Sequence, residues 1–234
     1  MRALAFWFLA GSFALAPMAL ARPGGTIVAF GDSITKGQPN PWPEGLEARL
    51  RQRFPGAGFT VINAGIPGNR LLHDSDGPDE PNPSALSRFA HDALDPDGVR
   101  FVILLEGIND IGWAGAPRAP ADIVGADEII AADRTLIASA HARRVKIFGG
   151  TITPFRGEGL PGYYSPAGEA MRAAVNQWIR TGGEFDAVID FDAALRDPAH
   201  PKRLRPEFDS GDHLHPNASG EAAMAAAIDL GLFQ

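Results

Sequence analysis

The sequence predicts an α/β fold in which a parallel β-sheet lies between layers of helices, and three features support this prediction. Five short apolar runs are rich in β-branched residues, each is bounded by glycine, proline or aspartate, and amphipathic stretches separate them. Strands buried on both faces have such nearly continuous apolar sequences. Strands that alternate with helices favour a parallel sheet.

The predicted strands and helices alternate along the chain. The strands are TIVAF (26–30), FTVINA (59–64), RFVILLE (100–106), VKIFGG (145–150) and AVIDF (187–191). Helices are predicted where apolar residues recur at every third or fourth position. The first contains Trp42, Leu46, Leu50 and Phe54, the second covers 122–143, the third contains Met171, Ala174, Val175, Trp178 and Ile179, and the last covers 217–230.

The first 21 residues have the pattern of a secretory signal peptide. Arg2 precedes an uncharged apolar run, Pro17 interrupts that run, and Ala19-Leu20-Ala21 supplies the small residues of a cleavage site. A membrane anchor is the alternative, but the run barely reaches the roughly 20 residues that a spanning helix needs. We expect cleavage after Ala21, export to the periplasm or the exterior, and one domain over 22–234.

Composition excludes several classes of function. The chain has 21 basic and 28 acidic side chains and a formal net charge of −7, so it repels phosphate backbones and is not expected to bind nucleic acid. It contains no cysteine, which excludes disulfides and thiolate chemistry. No segment after the leader is long and apolar enough to cross a membrane, so no stable membrane insertion is expected once the leader is removed.

Four polar motifs follow predicted strands. GDSIT (31–35) comes after the first strand, NAGIPGN (63–69) ends the second, GIND (107–110) follows the third, and DHLHP (212–216) lies beyond the fifth. In an open parallel sheet, ligands bind beside the carboxyl ends of the strands. The four motifs are therefore expected to meet at one edge of the sheet.

Together these motifs contain every group that acyl transfer requires. Ser33 is the predicted nucleophile, His215 its general base, and Asp212 the carboxylate that orients the imidazole. The backbone N–H groups of Ser33 and Gly68 and the side-chain amide of Asn109 are the predicted oxyanion-hole donors. Each residue alone also has an ordinary interpretation, since serine often caps helices, glycine completes turns and asparagine bridges loop backbone.

The ordered set GDSIT, NAGIPGN, GIND and DHLHP resembles the four blocks of the SGNH hydrolases, also called GDSL lipases and esterases. The resemblance extends from Thr26 to about Gly220, and Ile34 occupies the position of the leucine in the GDSL signature. It implies a three-layer α/β/α sandwich, flavodoxin-like, with five parallel strands in the order 2-1-3-4-5. It also implies hydrolysis of carboxylic esters, without a metal or other cofactor, by the catalytic and oxyanion residues named above.

His213 leaves one alternative open at the last motif. His213 and His215 alternate on an extended segment and could chelate zinc together. No third ligand is apparent in the sequence, and the serine mechanism already uses His215. His213 is therefore expected to be a loop residue, and no metal site is predicted.

The sequence predicts an exported serine esterase that acts through an acyl-enzyme on a small-molecule or glycan ester. Short acyl groups of the acetyl type, with carbohydrate esters among the candidates, are favoured because no lipid-binding helix or lid is evident. A lysophospholipase or thioesterase is the alternative, and an exported binding module without turnover is a second one. The aromatic residues that could line the substrate pocket, with core packing as the alternative, are Trp113, Phe155, Tyr163 and Tyr164.

Overall fold

The computed structural model describes residues 24–37, 39–76, 81–115 and 123–234. The predicted signal peptide and its cleavage site lie outside these residues. Within the described ranges, no helix is long and apolar enough to cross a membrane.

Five parallel strands form the central sheet. They are β1 (Gly25–Gly31), β2 (Phe59–Gly65), β3 (Val99–Leu105), β4 (Lys146–Gly150) and β5 (Ala187–Ile189). Their order across the sheet is β2-β1-β3-β4-β5, and every pairing is parallel. The predicted number, direction and order of strands are confirmed.

The apolar run of β1 is continuous because β1 is central in the sheet and covered on both faces. Ile27, Val28, Ala29 and Phe30 are each 0% exposed. On one side β1 pairs with β2 and on the other with β3, so strand order reverses beside β1. The carboxyl end of β1 therefore lies at the switch point where α/β proteins bind their ligands.

Helices cover both faces of the sheet. They are α1 (Ser33–Lys36), α2 (Trp42–Arg53), α3 (Ala85–Phe89), α4 (Ile108–Trp113), α5 (Ala126–Ala142), α6 (Pro166–Thr181), α7 (Phe191–Leu195) and α8 (Ala218–Ala227). A π-helical segment (Ala90–Leu94) extends α3, and a 3₁₀ turn (Leu230–Phe233) closes the chain. In one group, α8 packs against α2 and α7; in the other, α6 packs against α4 and α5, and α3 packs against α5.

Three predicted bounds differ from the structure. The fifth strand stops at Ile189, since Asp190 caps α7 by accepting the N–H of Ala193 at 3.0 Å. The predicted helix over 122–143 begins only at Ala126, and residue 122 lies outside the described ranges. The predicted helix over 217–230 ends at Ala227 and gives way to the 3₁₀ turn.

Candidate active site

Ser33 lies at the carboxyl end of β1, where the chain turns directly into α1. Asp32 caps this helix, because its Oδ1 accepts the backbone N–H of Ile34 at 2.8 Å. The neighbouring strand end must be glycine, since a Cβ on Gly65 would lie 2.2 Å from the backbone nitrogen of Lys36. The close approach of β2 to α1 places Ser33, which is half-buried, at the edge of the sheet.

The three side chains predicted to be catalytic form one line of hydrogen bonds. His215 Nε2 lies 2.8 Å from Ser33 Oγ, and His215 Nδ1 lies 2.6 Å from Asp212 Oδ2. A carboxylate can only accept, so Nδ1 carries the hydrogen and Nε2 is left as the acceptor that faces Ser33. This tautomer can take a proton from the serine hydroxyl.

Asp212 is held as a carboxylate. Its Oδ1 accepts the backbone N–H groups of Leu214 at 2.9 Å and His215 at 2.8 Å. Partial burial opposes ionisation, but the backbone and ring hydrogen bonds from His215 prevail and lower the pKa of Asp212 to about 2. Asp212 is therefore an anion at every pH at which His215 could act as a base.

Asn217 anchors the loop that carries this pair to the start of α8. Its Oδ1 accepts the N–H groups of Ser219 at 2.9 Å and Gly220 at 3.1 Å, which is a helix cap. Its Nδ2 donates to the carbonyls of Glu207 and Asp209, both at 3.0 Å. One side chain thus ties both ends of the loop together.

His213 is bound by a different carboxylate. Its Nδ1 lies 2.5 Å from Asp209 Oδ2, and its backbone N–H donates to Asp209 Oδ1 at 3.0 Å. The backbone of His213 is left-handed, with φ of 64°. Among the described residues, no group of three or more histidine, aspartate or glutamate side chains could hold a metal ion.

The predicted oxyanion-hole residues follow β2 and β3. Gly68 has φ of 74°, a conformation in which glycine is strongly favoured. Asn109, in the first turn of α4, is 5% exposed. Its Nδ2 donates to the carbonyl of Asn69 at 2.8 Å, so the residue after Gly68 is linked to Asn109.

Arg88 of α3 joins the strand ends beneath this site, and nothing in the sequence pattern singled it out. Its donors reach the carbonyls of Gly31 at 2.9 Å and Ala64 at 3.0 Å, and Asn69 Oδ1 at 2.7 Å. It also contacts the carboxylates of Asp92 at 3.1 Å and Glu106 at 3.4 Å. The Arg88 side chain is 3% exposed, and its guanidinium lies 3.9 Å from the centre of the Phe30 ring.

Buried carboxyl groups surround Arg88. Burial raises the pKa of Asp32 to about 7, even though the Ile34 N–H favours the anion. Burial, together with the charge of Asp32, raises the pKa of Glu106 well above its usual value. Burial also raises the pKa of Asp110, against the N–H groups of Leu71 and Leu72.

Two of the four aromatic residues considered for substrate binding lie in the core. Phe155 is 0% and Tyr163 1% exposed, so neither offers surface to a ligand in this structure. Trp113 and Tyr164 are half-buried. The Tyr163 ring centre lies 4.9 Å from that of Trp113 and 5.9 Å from that of Phe155, and Tyr164 contacts Phe155 edge to face at 5.1 Å.

A cavity of about 220 Å³ opens beside Ser33 and His215. The described residues that line it are Ser33, Lys36, Gly37, Pro67, His215, Pro216 and Glu221. None of the four aromatic residues belongs to this lining. Four of the lining residues lie within the sequence motifs, and the other three, Lys36, Gly37 and Glu221, lie close to a motif in the sequence.

Comparison with known proteins supports the same fold. Residues 29–223 match the model of the GDSL-like Lipase/Acylhydrolase family. An acetylxylan esterase from Geobacillus stearothermophilus is similar in structure, with a TM-score of 0.64 and 22% identity over 88% of this chain and 93% of that one. A GDSL-like lipase from Bacteroides thetaiotaomicron VPI-5482 has a TM-score of 0.64 and 18% identity, covering 92% of each chain. No curated protein sequence matches this chain.

Proposed function

Because this chain is a carboxylic ester hydrolase that belongs to the GDSL-like lipase and acylhydrolase family, we propose that it is an exported serine esterase with Ser33 as its nucleophile. The family match confirms the resemblance predicted from the four motifs. The proposed activity needs a base, a charge partner for that base and donors for an oxyanion.

The observation that carries the proposal is the line of hydrogen bonds from Asp212 through His215 to Ser33, at 2.6 and 2.8 Å. His215 Nε2 accepts the proton of Ser33 Oγ as that oxygen attacks the ester carbonyl carbon. The imidazolium then gives this proton to the departing alcohol, which leaves the acyl group on Ser33. Water, deprotonated by the same Nε2, attacks the acyl carbon and releases the carboxylic acid.

The oxyanion of each tetrahedral intermediate is stabilised by donors from three strand ends. The proposed donors are the backbone N–H groups of Ser33 and Gly68 and the Nδ2 of Asn109. Because Nδ2 carries two hydrogens and one serves the Asn69 carbonyl, the other can serve the oxyanion. Such preorganised donors stabilise charge as it develops without having to reorient.

Esters of short acyl groups, including acetyl groups on carbohydrates, are the proposed substrates. The cavity beside Ser33, about 220 Å³, is smaller than the roughly 300–1,000 Å³ of pockets that enclose drug-sized ligands. The similarity in fold to an acetylxylan esterase favours the same class. A long-chain lysophospholipase or thioesterase would require a longer apolar groove.

Export is proposed from the leader alone. Arg2, the uncharged apolar run and the small residues at 19–21 have the order of a secretory signal. Cleavage after Ala21 would release a domain that acts in the periplasm or outside the cell.

One experiment tests nucleophile and substrate class together. Wild-type protein should be labelled covalently by a fluorophosphonate and should hydrolyse p-nitrophenyl acetate with a higher kcat/KM than the octanoate and palmitate esters. Ser33→Ala removes only the attacking oxygen and should lose both labelling and turnover on every ester. Turnover that persists in Ser33→Ala would refute the nucleophile, whereas a preference for palmitate would favour the lipid alternative. A wild-type protein that neither labels nor turns over would be the binding module.

A further inference from the structure

The side-chain amide of Asn109 is held at both ends. Its Nδ2 donates to the Asn69 carbonyl at 2.8 Å, and its Oδ1 accepts the Tyr163 hydroxyl at 2.9 Å. A carbonyl can only accept, and a phenol hydroxyl that donates requires an acceptor opposite it. The Asn69 carbonyl therefore selects the amide orientation with Nδ2 on its side. In that orientation Oδ1 is the acceptor nearest the Tyr163 hydroxyl, which also approaches the carbonyl of Ile108 at 3.4 Å.

Tyr163 is suited to be a permanent donor in a fixed place. Burial, reinforced by the charge of Asp32, raises the pKa of Tyr163 well above its usual value, so the hydroxyl keeps its proton. The ring lies so close to α4 that a Cβ on Gly112 would be 2.3 Å from it. The edge-to-face contact with Trp113 at 4.9 Å confines it from another side.

The other partner of the amide, the carbonyl of Asn69, is also fixed in place. Asn69 is 0% exposed, its Nδ2 donates to the carbonyl of Pro83 at 2.8 Å, and its Oδ1 accepts from Arg88 at 2.7 Å. The Asn69 carbonyl thus presents a fixed acceptor to Asn109. Among the described residues, the Asn69 carbonyl and the Tyr163 hydroxyl are the two hydrogen-bond partners shown for this amide, so removing the hydroxyl would leave the amide less firmly held.

We propose that Tyr163 is a positioning residue for ester hydrolysis, whose hydroxyl fixes the Asn109 amide with its second Nδ2 hydrogen directed at the oxyanion. This inference rests on the proposed oxyanion role of Asn109. Tyr163 is 1% exposed and acts through Asn109 rather than on the substrate. The sequence left both a pocket wall and core packing open for this residue, and its contacts with Asn109 are the basis for placing it in the support of the oxyanion hole.

The first test is Tyr163→Phe, which keeps the ring and removes only the hydroxyl. We expect kcat for p-nitrophenyl acetate to fall about tenfold with KM nearly unchanged, because the lost contact matters only as charge develops on the oxyanion. Rates are expressed per serine that reacts with a fluorophosphonate, so any unfolded fraction is excluded.

Thr26→Val is the matched control. Thr26 Oγ1 donates to the carbonyl of Asp97 at 2.7 Å, at the amino end of β1 and therefore at the opposite edge of the sheet from Ser33. This variant also loses one hydroxyl hydrogen bond to an oxygen acceptor. It should keep wild-type kcat and KM even if both variants melt a few degrees lower.

A double-mutant cycle decides whether Tyr163 acts through Asn109. Asn109→Ala should lower kcat by roughly 10²–10³. Adding Tyr163→Phe to Asn109→Ala should then change kcat by less than about twofold, because the amide that the hydroxyl positions is gone. The same tenfold loss in both backgrounds, or a rise in KM with unchanged kcat, would overturn the inference.

The cycle distinguishes an error in the oxyanion role of Asn109 from an error in the positioning role of Tyr163. If Asn109→Ala leaves kcat intact, the oxyanion role of Asn109 is wrong, and the proposed mechanism fails at that residue. If Asn109→Ala behaves as expected but Tyr163→Phe is fully active, only the positioning role of Tyr163 is wrong.

Discussion

His213 and His215 lie two positions apart on one loop, yet each has its own aspartate. Asp212 binds His215, which comes three residues later, and Asp209 binds His213, which comes four residues later. In each pair the carboxylate contacts both the imidazole Nδ1 and the backbone N–H of the histidine. The left-handed backbone at His213 separates the two pairs. Only the His215 ring reaches Ser33, at 2.8 Å.

The same substitution at both positions should separate their roles. Asparagine is chosen because it tolerates the left-handed backbone of His213. His215→Asn should lower kcat by at least 10²–10⁴, since no general base remains beside Ser33. His213→Asn should keep most of the activity, measured as initial rates on p-nitrophenyl acetate. Exhaustive chelation should not change the activity of wild type or of His213→Asn. A dead His213→Asn with an active His215→Asn would reverse the assignment.

Local spacing predicted the residues of the line from Asp212 to Ser33 because each lies within a short motif, GDSIT directly after β1 or DHLHP directly before α8. The supporting residues could not be predicted in this way. Tyr163 meets Asn109 across 54 positions of the chain, and Arg88 meets Gly31 across 57. Such contacts are created by packing, and no local pattern distinguishes these side chains from other tyrosines or arginines.

Helices α2, α5 and α6 were predictable because apolar residues recur at every third or fourth position over several turns. The short helices α1, α3, α4 and α7 contain four to six residues each and complete fewer than two turns, so no period can appear. Side-chain caps define three of them, through Asp32, Ser84 and Asp190. These short helices carry Ser33, Arg88 and Asn109, which is why the support of the site was harder to predict than the sheet.

Helix α3 stabilises the site through Arg88, and Arg88→Lys tests this role. Lysine has three donors on one atom and cannot reach all five acceptors that Arg88 contacts, so buried oxygens would lose their partners. With two acceptors left unpaired, we expect a loss of about 3 kcal/mol, or roughly 6–12 °C in melting temperature. The measurement is a thermal melt followed by circular dichroism.

Arg134→Lys is the control for this prediction. Arg134 pairs with Glu184 at 2.7 Å, but at the surface, where its side chain is 52% exposed. A solvated pair contributes little to stability, so the melting temperature should hardly change. Equal melting temperatures for the two variants would show that α3 does not clamp the strand ends.

At the scale of the molecule, the sheet explains why distant motifs form one site. Ser33, Gly68 and Asn109 follow β1, β2 and β3, which are neighbours in the sheet although 76 positions of the chain separate the first from the last. Apolar runs and helix spacing predicted a parallel sheet, and the family resemblance implied its order. Neither the sequence pattern nor the resemblance could predict that buried carboxyl groups lie beneath the site, because the burial of Asp32 and Glu106 depends on the packing of the assembled layers.

These buried carboxyls should make the folded protein most stable in mild acid. Burial raises the pKa of Asp32 from 3.8 to about 7, so between these values the folded state holds a proton that the unfolded chain has released. The contribution of Asp32 to the free energy of unfolding therefore falls as pH rises from about 4 to 7, by about 4 kcal/mol in total. The raised pKa values of Glu106 and Asp133, which burial causes, act in the same direction.

The loss of stability at lower pH comes from carboxylates whose pKa is lowered in the folded protein. Although burial opposes it, hydrogen bonds from Arg180 and the Ala193 N–H lower the pKa of Asp190 to about 2, and Asp212 is likewise near 2. Their contribution is present above about pH 4 and is lost as pH falls toward 2. Urea unfolding measured from pH 3 to 9 should therefore show maximal stability near pH 4–5.

Asp32→Asn keeps the acceptor for Ile34 but has no proton to lose, so its stability should fall less between pH 5 and 8 than that of wild type. A wild type more stable at pH 8 than at pH 5, or an identical slope in Asp32→Asn, would show that Asp32 does not hold a proton in the folded protein.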